Sequence, residues 1–195
     1  MRKNGDIFNA YPFDPTNTKP QAISPFYLCA MENQTNQDSP ISPDCFLHEE
    51  VELFQSLENE ILASVHYYPW LNLGDNANTQ PYRFLLALEL VFESGNSLLL
   101  SSGEDSEAIQ VITAEKLLET ASRLQQLHGQ PTIQRLPRSE QGFWINLVGE
   151  VLQSIQLSKH QNGLYRNDAL MLDFGQAGVV LELQEDGEGL LIREV

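Results

Sequence analysis

The sequence is poor in cysteine, in histidine and above all in basic charge, and it has no long apolar run. Two cysteines, Cys29 and Cys45, and four scattered histidines, His48, His66, His128 and His160, have neither the spacing of a zinc site nor the density of a disulfide framework. Reduced thiols in a cytoplasmic protein are the simplest reading, with a single Cys29–Cys45 bridge as the alternative. Nothing approaches the roughly 18 uncharged apolar residues of a membrane span. The opening Met1-Arg2-Lys3-Asn4-Gly5-Asp6 has no apolar segment behind it, as a secretory signal would. No membrane contact is therefore expected. Gly-x-Ser-x-Gly, a phosphate-binding loop, His-Glu-x-x-His and the dinucleotide fingerprint are all missing. That points away from an enzyme and implies neither a cofactor nor a resident metal.

The shortage of basic residues is uneven. Eleven Lys and Arg face 27 Asp and Glu, a net charge of −16. Residues 20–115 hold fifteen acidic side chains against Arg83 alone, whereas residues 116–195 hold ten acidic and seven basic. A field of that sign repels phosphate backbones, which excludes ordinary nucleic-acid binding. A charged partner steered to the first half should be a basic protein.

What the chain does have is proline at its start and a pattern that occurs twice. Residues 1–45 hold six of the ten prolines. Proline removes backbone donors and fixes φ, so a long helix or a central strand is not expected there. Ile7, Phe8, Tyr11, Phe13, Phe26, Tyr27 and Leu28 are too apolar for a free linker. Together they predict an extended arm, residues 1–52, that lays aromatic anchors on the body. Ser42-Pro43 has the form of an N-cap followed by proline at the first helical position.

The duplicated pattern begins with Leu53 to Val65, which matches Phe143 to Ile155 at an offset of 90. Tyr82-Arg83 and Tyr165-Arg166 follow at 83, and the acidic turns Glu104-Asp105-Ser106-Glu107 and Glu185-Asp186-Gly187-Glu188 at 81. Shrinking offsets are what shorter loops in the second copy would produce. Each copy reads as an entry turn, a strand (about 60–68 and 150–158), a hairpin and a last short strand (about 108–112 and 190–194). Period two assigns the hairpin: Phe84, Leu86, Leu88, Leu90 and Phe92 share one face, Leu85, Ala87, Glu89, Val91 and Glu93 the other. Between the copies, Thr113 to His128 carries Leu117, Ala121, Leu124 and Leu127 or His128 at helical spacing, with Thr113 as N-cap and Gly129 and Pro131 placed to stop it. The expected fold is β-rich α+β: two tandem pseudo-repeat antiparallel sheet units, residues 53–112 and 143–195, joined by a helix and connector, residues 113–142.

Candidate sites are few. The two acidic turns are the repeated carboxylate clusters. Without the ligand alternation of a calcium loop they read as inherited turns rather than metal sites. The paired arginines, Arg83 and Arg166, each suit a clamp on a local carboxylate or carbonyl. His66 corresponds to Gln156 in the other copy, so the shared pattern does not need an imidazole there. The copies diverge most in the loop Tyr67 to Asn76, where Trp70 and Asp75 stand beside glycine and asparagine. Exposed loop aromatics often anchor partners, and the alternative is a Trp70 packed under the proline-rich arm. With the acids upstream this gives a candidate partner-binding set of Glu49, Glu50, Glu52, Trp70 and Asp75. In size, acidity and lack of catalytic motifs the chain is similar in type to bacterial immunity proteins, which cover basic toxins, although no motif carries that likeness. The expected function is a non-catalytic protein–protein interaction module for a basic partner. The alternative is a small-molecule or ion site in a crevice between the two units.

Overall fold

The computed structural model describes residues 44–72, 82–102, 107–128, 132–184 and 189–195. The expected arm therefore lies outside the described residues as far as residue 43, as do Ser42 and Pro43. The first helix, α1 (His48–Ser56), crosses residue 52. It opens at Leu47 with no side-chain cap. Instead Glu50 reaches back to accept the Leu47 N–H at 2.8 Å, and Glu49 and Glu50 in the first turn suit the helix dipole.

The strands make two antiparallel sheets. The first contains β1 (Leu62–Asn72), β2 (Tyr82–Phe92), β3 (Ser97–Ser101), β4 (Gln110–Val111) and β5 (Thr132–Ile133), in the order β4-β3-β2-β1-β5. The two-residue β6 (Leu136–Pro137) also pairs with β1. The second runs β10-β9-β8-β7, from β7 (Ser154–Lys159), β8 (Tyr165–Asp173), β9 (Gly178–Leu183) and β10 (Leu190–Glu194). The protein is thus β-rich α+β, with α1 and the longer α2 (Ala114–His128) as its helices. Thr113 caps α2 as expected, its Oγ1 accepting the Lys116 N–H at 3.1 Å.

Both sheets are meanders with closely matching registers. Val65 faces Leu90 and Leu90 faces Leu98, as Ile155 faces Leu172 and Leu172 faces Val179. A short 3₁₀ turn, Gly142–Asn146, precedes β7 much as α1 precedes β1. Phe54, Leu57, Leu62 and Phe92 are almost fully buried, and so are Trp144, Leu147, Leu152 and Phe174. These side chains and the inner faces of both sheets form one continuous core. The outer face of the first sheet is covered by α2, whose Leu117 and Leu124 pack on Trp70, Leu86, Ala87 and Leu99. Leu127, expected in that stripe, is exposed.

The chain segments before β1 and β7 join edge to edge. Asn59 N–H donates to Leu152 O at 2.7 Å and Gly149 N–H to Leu62 O at 2.8 Å. Leu62 N–H donates to Glu150 O at 3.0 Å and Leu152 N–H to Glu60 O at 2.9 Å. In each pair, adding 90 to the first-half residue of one bond and subtracting 90 from its second-half residue gives the other bond. Asn59 and Gly149, matched in this way, both have positive φ, 70° and 91°.

Strict period two in β2 is corrected by a bulge. Leu88, Leu90 and Phe92 enter the shared core as expected. Leu86 and Phe84 instead pack under α2, while Leu85 packs on the core side. The pairing shifts between Tyr68 and Pro69, opposite this stretch. A one-residue slip sends alternate side chains to the opposite face.

Candidate functional site

Four of the five expected partner contacts are among the described residues, and these four do not form one surface. Glu49 and Glu52 lie exposed on α1. Glu52 pairs with His48 one turn earlier, at 3.3 Å. Glu50 is committed to the fold, because its second oxygen accepts the Val111 N–H at 2.8 Å and ties α1 to the end of β4. Trp70 is only 5% exposed and stacks tilted on Phe84, their ring centroids 5.0 Å apart, beneath α2. Here the expectation of an exposed aromatic is overturned: β1 runs on through Asn72, so Trp70 is a strand residue facing a helix, not a loop residue. Asp75 lies outside the described residues, as do residues 103–106 and 185–188 of the acidic turns.

Other acids are also exposed. Glu93, Glu107 and Glu115 are exposed in the first half. An open groove along α2 is lined by Glu115, Leu118, Glu119, Ser122, Arg123 and Gln126. Of the two repeated arginines, Arg166 clamps Asp168 as expected, and Arg83 is exposed. Cys45 is a free, buried thiol. Among the described residues no three His, Cys, Asp or Glu side chains gather as metal ligands would. No helix among them is long and apolar enough to cross a membrane.

Between the sheets, where a crevice site would lie, the space is filled by core side chains such as Trp144 and Phe54. Trp144 Nε1 there donates to the Tyr67 hydroxyl at 2.7 Å. Burial pushes the Tyr67 pKa up, partly offset by this bond and by Arg138.

One polar cluster was not assembled by sequence reasoning. His66 and Glu89 face each other across β1 and β2, Tyr68 lies two residues along β1, and Arg135 reaches in from the connector between β5 and β6. Glu89 Oε2 accepts the Tyr68 hydroxyl at 2.8 Å and Arg135 Nε at 2.9 Å. Arg135 Nη2 lies 3.1 Å from His66 Nδ1, and Nε lies 3.0 Å from the Tyr68 oxygen. The side chains of His66 and Glu89 are 14% and 18% exposed. Burial and then Arg135 lower the His66 pKa against the opposing pull of Glu89. Burial and then the bond to Glu89 push Tyr68 up to about 12. For Arg135 burial pulls downward, but the hydrogen bond and charge of Glu89 raise it overall. Two signals pointed here. Glu89 interrupts an apolar strand face, and His66 has no imidazole counterpart in the second half. Arg135 sits in a short connector whose placement no periodicity sets.

No known protein family, no curated protein and no solved structure matches this chain.

Proposed function

We propose that the protein is a non-catalytic, acidic protein–protein interaction module, immunity-like in type, that engages a basic partner protein through its first half. In this reading residues 53–112 and 143–195 are two copies of one β-rich unit, linked by residues 113–142. The reciprocal hydrogen bonds at an offset of 90 and the matching meander orders support that reading. Copies sharing a fold leave one of them free to acquire a surface, because function resides in sites carried on a fold.

The observation that carries the partner reading is the charge. Residues 20–115 hold fifteen acidic residues against one basic. Of these, Glu49, Glu52, Glu93, Glu107 and Glu115 stand exposed, and among the described residues only Glu52 has a basic side chain at contact distance, His48 at 3.3 Å. The candidate contacts narrow to Glu49 and Glu52 on α1. Glu50 supports that surface from within, holding α1 to the end of β4.

Immobilised protein and its Glu49→Gln/Glu52→Gln variant, presented in parallel to an extract, test this. The expected result is a basic protein retained by the native chain, released by salt and held less by the variant. A retained protein that is acidic, or retention equal on both, would count against the proposal.

A further inference from the structure

His66 and Arg135 meet in a way that admits one protonation state. A guanidinium can only donate hydrogen bonds. Arg135 Nη2, 3.1 Å from His66 Nδ1, therefore needs that nitrogen as an acceptor, with the ring neutral and its proton on Nε2. Glu89 Oε2 lies 3.6 Å from the same Nδ1 and already accepts from Arg135 and Tyr68. The charged groups acting on the ring are thus Arg135 from the β5–β6 connector and Glu89 from β2, with the Tyr68 phenol beside it on β1. A proton arriving at Nδ1 turns the acceptor into a donor and ends the Arg135 contact. It also offers Glu89 a second cation at an oxygen Arg135 now uses.

Besides the Arg135 contacts, Ile133 packs in the core under α2, Arg138 lies over the Tyr67 ring, and the Val65 N–H donates to Ser139 Oγ at 2.9 Å. β5 and β6 each pair with β1 through two residues, followed by the Arg138 N–H donating to Val65 O at 2.9 Å. In the second half the matched positions are Gln156 and Met171, which also face each other, so the sheet itself needs no titratable pair here.

We propose that His66 is an acid-sensitive latch: neutral, it holds Arg135 and with it the β5–β6 connector against the edge of β1; protonated, it competes with Arg135 for Glu89 and loosens that edge. Burial keeps the ring neutral to lower pH than a free imidazole, so the latch is closed at neutral pH.

Hydrogen exchange by NMR on the full chain, between about pH 7.5 and about pH 5, reads the latch at the Arg138 amide. After correction for intrinsic exchange, protection there should fall roughly tenfold for each unit by which the His66 pKa differs between closed and open edge. His66→Gln keeps an acceptor and cannot titrate, so it should hold the same protection at both pH values. An equal acid-induced loss in His66→Gln would overturn the proposal. So would unchanged protection in the native chain once the His66 ring shifts show that it has titrated. Glu89→Gln gives an independent reading: with the carboxylate gone the ring protonates less readily, and the loss should move to lower pH. A loss that stays in place or moves upward contradicts the latch.

Discussion

At the residue scale the chain spends its aromatic and polar side chains on the interior more than its composition suggests. Trp70 reads from sequence as a loop anchor for a partner, yet it is a core residue under α2. Trp70→Ala should therefore cost about 3–5 kcal/mol of stability by the usual loss for a buried tryptophan, measured by urea unfolding. A loss of partner binding with stability intact would mean the side chain is presented instead. Tyr68 makes a second prediction. Its pKa, raised from 10.0 to about 12, means the folded state keeps a proton the unfolded chain gives up. Its contribution to stability is full below pH 10.0 and is lost as pH climbs toward about 12. Tyr68→Phe should flatten the fall of the urea midpoint across that window, and a slope identical to the native chain's would contradict it. His66 and Glu89 were legible as oddities in the sequence, but their meeting with Arg135 was not. A connector that follows β2 only after three further strands and α2 supplies the third partner, and only the folded register brings it in.

At the scale of elements the period-two and helical patterns found the main strands and α2, but β1 runs on to Asn72, past its expected end near residue 68. They erred where a bulge entered, because a single extra residue reverses every later side chain. No composition signal marks the slip opposite Tyr68 and Pro69. The first helix was also misplaced, since its start relies on Glu50 reaching back rather than on a capping serine. The segments ahead of β1 and β7 carry a sharper test. Gly149, with φ of 91° and open space around its Cα, suffers only backbone strain when a side chain is added. Gly149→Ala should cost about 1–2 kcal/mol, the penalty of a left-handed conformation. Asn59→Gly, at the matched position with φ of 70°, relaxes that strain and should leave stability the same or slightly higher. Chemical denaturation of both variants decides it: a costly Asn59→Gly would show that the Asn59 side chain, and not the turn, is what matters there.

At the scale of the whole molecule, a doubled pattern has become two sheets around one core. The proposed repeat was readable as a pattern because buried positions recur at an offset of 90: Phe54 with Trp144, Leu57 with Leu147, Leu62 with Leu152. That the halves close on each other through a shared interior was not readable, since inward side chains look alike whether they face their own sheet or another. The two tryptophans report on each half in turn. With Trp144→Phe and Trp70→Phe variants, the fluorescence of Trp70 and of Trp144 should lose native signal over the same cooperative transition, allowing for each variant's own midpoint. A second transition seen by one tryptophan alone would divide the core. Over this frame the charge is lopsided, with Arg83 the one basic residue between positions 20 and 115. The central claim is that this half meets a basic partner. The most direct measurement is stopped-flow association of the captured partner with the native chain and with Glu49→Gln/Glu52→Gln, across a range of salt. The account predicts an association rate that falls steeply as ionic strength passes about 0.1 M, where screening reaches about 10 Å. It also predicts a shallower fall for the variant, with dissociation changed less. An association rate independent of salt, or one that the two substitutions leave untouched, would contradict it.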